Sequence, residues 1–188
     1  MPSHLDSAEG MLYLLRRKGL SVANSDAPLS AEKIIRELKK EGVTHIIYLP
    51  DDESRCLCDV LTRHSELTLV PICREGEAIA IAAGLLFGGK NPVVWHQSTG
   101  FFESGDSVRG LALDLGLPLL ILIDCRGWKS NAPMTDSAGV FIQPILNAWG
   151  IRHHIVETDD DIARISLAFN EAKTLHKPIA ILLGRRLA

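Results

Sequence analysis

The chain has 188 residues, 46% of them hydrophobic and 23% charged, with a formal net charge of −3. That length holds one domain with a sizeable buried core, and the charge gives no electrostatic reason to expect a nucleic-acid or acidic-membrane partner. Cys56, Cys58, Cys73 and Cys125 form no CxxC pair and no disulfide framework, and no apolar run is long enough to span a bilayer, so the expected location is the cytoplasm.

Residues 1–29 read as an N-terminal helix (7–18) and a polar linker, and residues 30–188 as one domain. Ser30 can cap a helix with an apolar stripe of Ile34, Ile35 and Leu38 and a stop at Gly42. THIIYLP (44–50) is a short strand, 53–64 a helix, and LTLVPIC (67–73) a second strand. EGEAIAIAAGLLF (75–87) is an alanine-rich helix with almost no polar face, which predicts burial on most sides. PVVWH (92–96) is the third strand, a loop follows, and 107–116 is helical. LPLLILIDC (117–125) is a fourth, continuously apolar strand. Helices at 143–150 and 160–176 flank the strand RHHIVE (152–157), and PIAILLG (178–184) is the last strand.

Strands apolar throughout, alternating with helices, predict a doubly wound, six-stranded, mainly parallel sheet with helices on both faces. In such a sheet ligands bind beyond the carboxyl ends of the strands, so the segments after each strand carry the chemistry. Arg74-Glu75-Gly76-Glu77 opens the apolar helix. Its acids either complement the helix dipole or, for Glu75 beside a buried seam, supply a carboxyl suited to proton exchange. His96-Gln97-Ser98-Thr99-Gly100 is a polar burst directly after a strand, either locally hydrogen-bonded or facing a ligand. Asp51 and Asp52 can cap the next helix, which leaves one of them for a cleft. No usable metal-ligand spacing is present, and there is no GxGxxG, GxxxxGK[ST] or GxSxG. The sheet has a site but no motif for holding a phosphate.

The run REGEAIAIAAGLLFGGKNPVVWHQSTG, then a helix and GLPLLILIDCRGW, resembles the pyrimidine-binding domain of thiamine diphosphate-dependent 2-oxoacid decarboxylases over roughly residues 30–186. It is similar to the phosphonopyruvate type and to the alpha subunits of the sulfopyruvate type. The most specific element is Glu-Gly-x-Ala-Ile-Ala-x-Ala-Ala-Gly, here Glu75 to Gly84. The resemblance implies that Glu75 hydrogen-bonds the aminopyrimidine of the cofactor and promotes the imino tautomer that takes the thiazolium carbon proton. It also implies that Gln97, Ser98, Thr99 and Gly100 line the cofactor. Asp51, Asp52 and His96 become candidate acid/base or substrate groups, and Arg109, Arg126 and Lys129 either meet an anionic substrate group or stay solvated.

In that family a second domain beginning Gly-Asp-Gly, with an asparagine further on, holds Mg2+ and the diphosphate. This chain has only Gly105-Asp106, after Ser104, with no suitable asparagine following. The resemblance therefore implies a separate beta subunit carrying that motif, a hetero-oligomer such as α2β2 or larger, and a small 2-oxoacid substrate. Phe101-Phe102-Glu103 stands where the family has small residues; two adjacent aromatics in a loop predict cover by the partner. The alternatives are a carboligase or synthase subunit, a catalytically silent regulatory subunit, or a binding module that works alone.

Overall fold

The central apolar runs become strands because the fold hides both of their faces, while the runs at the two edges, Thr68–Pro71 and His153–Val156, are only partly buried. β1 (His45–Tyr48), β2 (Thr68–Pro71), β3 (Pro92–Gln97), β4 (Leu120–Asp124), β5 (His153–Val156) and β6 (Ile179–Leu183) form one sheet in the order β2-β1-β3-β4-β6-β5. Every neighbouring pair is parallel. The computed structural model describes residues 27–51, 59–61, 63–129 and 133–188.

Among the described residues the sheet is covered by α1 (Ala31–Lys40), α2 (Glu75–Phe87), α3 (Ser98–Glu103), α4 (Ser137–Ala148) and α5 (Arg164–Leu175). Ser30 caps α1 by accepting the Lys33 N–H at 3.3 Å. Alternation along β3 sends Val93 and Trp95 to one face and Val94 to the other. The first face packs against Ile34, Ile35 and Leu38 of α1 and Ile165 and Phe169 of α5. The second packs against Ile79 and Ala82 of α2, Phe101 of α3 and Ile142 of α4. With both faces covered, the central strands β4 and β6 are apolar almost throughout, and polar residues fall at strand ends and on the edge strands. Residues 59–61 are helical, within the helix expected at 53–64, whereas 63–64 are not; residues 52–58 and 62, Asp52 among them, and the helix expected at 7–18 lie outside the described residues. No described helix is long and apolar enough to cross a membrane.

Two expectations are corrected. The loop foreseen between 97 and 106 is helical: α3 is followed by a three-residue α-helical segment, Gly105–Ser107, and a π-helical segment, Val108–Leu113. Phe101 is the cause. It is fully buried, with its ring 5.8 Å from Trp149 and 6.4 Å from Phe102. It anchors α3 in this chain's own core, so Phe101 needs no cover from the partner expected for the aromatic pair, and a polar residue there would cost folding stability. The second correction concerns α2. Only Ala78, Ile79, Ala82 and Ala83 are buried, while Ala80 and Gly84 are exposed and Phe87 is 76% exposed.

Candidate active site at the carboxyl edge of the sheet

The strand registers align the sheet's carboxyl ends: Gln97 is level with Asp124, and Asp124 with Leu183. The segments leaving β1, β3, β4 and β6 therefore converge on one edge. A cleft of about 1000 Å³ opens there, lined among others by Asp51, Glu75, Gln97, Thr99, Asp124 and Arg126. It extends from the end of β1 across β3 and β4 to β6, on the carboxyl edge where ligands bind in an open parallel sheet.

Glu75 reaches this cleft because β2 ends at Pro71 and α2 begins on Glu75 itself, after an extended Arg74 at φ −149°. Its side chain is held laterally by α3. A Cβ at Gly100 would lie 2.6 Å from Glu75 Cγ and 2.7 Å from Oε1, closer than real carbons approach. Gly100 thus leaves the space that the glutamate occupies. Glu77 is exposed and does not line the cleft.

From the end of β3, Gln97 and Thr99 face the cleft, joined by a 2.8 Å hydrogen bond from Thr99 Oγ1 to Gln97 Oε1. Ser98 is fully buried; its Oγ accepts the backbone N–H of Arg126 at 3.4 Å and so ties the segment after β3 to the one after β4. Of the other expected residues, Asp51 lines the cleft, whereas His96, Ser98 and Gly100 do not. Arg126 is in the wall, ion-paired with Asp136 at 3.0 Å. Arg109 pairs with Asp106 at 2.7 Å, and neither Arg109 nor Lys129 lines the cleft.

Asp124, Trp128 and Arg185 also line the cleft and were not expected from the sequence. Asp124 accepts the indole N–H of Trp95 at 2.8 Å. Trp128 donates its indole N–H to Glu157 at 2.6 Å and packs over Gly184, where a Cβ would come within 2.9 Å of the ring. Their positions at or soon after the ends of β4 and β6 were the available signal. Among the described residues no group of three or more His, Cys, Asp or Glu side chains is placed to hold a metal ion.

His96 takes the opposite direction from Gln97, being next to it in an alternating strand. It is 2% exposed, and among the described residues neither ring nitrogen has a hydrogen-bond partner. Burial pulls its pKa from 6.5 down to about 4, against the opposing charge of Glu103. A folded pKa below the unfolded one means the unfolded chain binds the proton first. The stability contributed by neutral His96 is thus fully present above pH 6.5 and is lost as the pH falls toward 4, amounting to about 3 kcal/mol. Urea titrations across that range should show the loss, and His96→Leu should flatten it. An unchanged pH slope in the variant would assign the loss to other groups.

The family model of the thiamine pyrophosphate enzyme N-terminal TPP binding domain matches residues 30–132. The sulfopyruvate decarboxylase subunit alpha of Methanococcus maripaludis is 22% identical, over 82% of this chain and 93% of its own. That of Methanocaldococcus jannaschii is 24% identical, over 79% and 89%. Sulfopyruvate decarboxylase of Methanosarcina acetivorans is 26% identical over 66% of this chain, which spans 32% of that protein. The solved 2-oxoglutarate:ferredoxin oxidoreductase of Magnetococcus marinus shares the fold, with a TM-score of 0.58 at 17% identity over 83% of this chain and 29% of its own. With more than half of its length matched by one family model, the chain belongs to the thiamine pyrophosphate enzymes, and the matched part is their N-terminal TPP binding domain.

Proposed function

We propose that this chain is the alpha subunit of a two-subunit, thiamine diphosphate-dependent, non-oxidative 2-oxoacid decarboxylase, active only with a beta subunit that carries Mg2+ and the diphosphate. The observation that carries the reading is the Glu75 carboxyl, half-buried at a helix start, on a cleft, with Gly100 leaving its space. The residues present suit the pyrimidine end of the cofactor: a carboxyl, an amide from Gln97 and a hydroxyl from Thr99 on one cleft. The metal end is assigned to the partner because the sequence has only Gly105-Asp106, after Ser104, in place of the Gly-Asp-Gly motif. The two relatives whose length this chain nearly spans are themselves named as alpha subunits.

When bound, thiamine diphosphate supplies the electron sink for the bond that breaks in decarboxylation. Glu75 holds and returns a proton at the aminopyrimidine ring nitrogen. Gln97 and Thr99 orient the ring through polar contacts, while Gly100 and Ser98 act one step back, by leaving room for Glu75 and by tying two loops together. Asp51 is the acid nearest in kind to a substrate-facing proton donor; Asp52 and His96 keep that role only as expectations from sequence, the first being outside the described residues and the second buried and off the cleft. Arg126 is the cationic candidate for an anionic substrate group. The exposed side of α2, with Ala80, Gly84 and Phe87, is the surface offered to the beta subunit.

Carbon dioxide release from sulfopyruvate is the test, with thiamine diphosphate and magnesium present throughout. The purified chain alone should release none, and the chain co-purified with its beta subunit should release it catalytically. Turnover by the chain alone would overturn the two-subunit assignment, and an inactive but cofactor-loaded complex would overturn the substrate class.

A further inference from the structure

We infer that Glu103, at the end of α3, is a positioning residue that sets where Glu75 stands; the inference rests on the proposed role of Glu75. Helix α2 begins without a cap of its own, because Arg74 makes no side-chain hydrogen bond to its first turn. The acceptor comes instead from 27 residues away: Glu103 Oε2 receives the Gly76 N–H at 2.7 Å. Its other oxygen, Oε1, is ion-paired with Arg74 Nε. One carboxylate thus grips the residues on both sides of Glu75.

The same short helix holds the Glu75 side chain. Residues 100 and 103 lie on one face of α3, as positions three apart on a helix do, and Gly100 is the residue whose missing Cβ leaves 2.6 Å to Glu75 Cγ. Phe101 points away from that face into the core, fully buried against Trp149. Ser104 closes the helix by donating to the Phe101 carbonyl at 2.9 Å. Helix α3 is therefore fixed to the core by Phe101 and fixed to α2 by Glu103, and Gly100 meets Glu75 between these anchors. Gly76 fits the same clamp, since a Cβ there would stand 3.3 Å from Glu103 Oε2.

Backbone placement and chemistry can be told apart by substitution. In Glu103→Ala the Gly76 amide of the full chain should lose protection from hydrogen exchange. In the complex with the beta subunit, deuterium exchange at the thiazolium carbon of thiamine diphosphate should slow by about 10²-fold, the scale set by an ångström of misplacement. Cofactor affinity and assembly should hold. Glu103→Gln keeps an acceptor for Gly76 and should recover most of the rate, a rescue that general loss of stability would not produce. If Glu103→Ala fails to fold, Glu103→Asp serves, since a shorter arm cannot span Arg74 and Gly76 together. Native exchange in a folded Ala or Asp variant, alongside slow exchange in Glu75→Gln, would overturn this inference and leave the proposed function standing. Native exchange in Glu75→Gln would instead overturn the proposed function.

Discussion

Glu75→Gln in the assembled complex is expected to slow deuterium exchange at the thiazolium carbon by about 10²–10⁴-fold, the usual loss for a positioned acid/base group. The amide keeps the size of the side chain and one hydrogen bond, but it cannot give up and take back a proton. Assembly and binding of magnesium and diphosphate should persist, because the proposal places those contacts on the partner. Glu77→Gln is the internal control. Two residues on, it is turned about 200° around α2, and it is exposed and off the cleft. If both acids merely complemented the helix dipole, each change would cost under about 1 kcal/mol of stability and neither would touch exchange. Native exchange in Glu75→Gln would sink the mechanism while leaving the fold untouched.

Gly100→Ala should come close to the same loss without touching any titratable group. The residue is helical with no positive φ, so alanine is conformationally allowed and even favours the helix, by about 1 kcal/mol. The added methyl, however, meets Glu75 at Cγ, 2.6 Å away, as well as at the carboxyl. Turning the carboxyl alone cannot relieve a clash at Cγ. The side chain must leave its rotamer, and the carboxyl leaves the place the proposed function gives it. A loss of about 10² in exchange is expected, with the melting temperature changed by only a few degrees. The mutant therefore reports position where Glu75→Gln reports chemistry. A folded Gly100→Ala complex exchanging at the native rate would mean that the glycine contact does not hold the glutamate.

The parallel sheet was legible because its signal is local and redundant. Each strand is an apolar run bounded by turn residues, and His45–Tyr48, Leu120–Asp124 and Ile179–Leu183 can be recognised without any neighbour. The start of α2 at Glu75 was legible in the same way, since its apolar composition begins there. Helix α3 was not. Six residues are too few to show a helical period, and one of them is glycine; what makes them helical is the burial of Phe101 against Trp149, 48 positions away in the chain.

The site divides along the same line. Residue type and place after a strand were enough to nominate Glu75, Asp51, Gln97 and Thr99, all of which line one cleft. They were not enough for His96, whose neighbour Gln97 faces the cleft while it is buried and off the cleft: in a strand, one residue of register decides the face, and the register is set by pairing with β4. Nor could the sequence show that Glu103 and Gly100 meet Glu75 and Gly76 across two elements. By itself the sequence determined the architecture and the acid at its centre, because both depend on local composition. The tertiary structure alone decided what holds that acid, because α2 and α3 meet only once β2, β1 and β3 lie side by side.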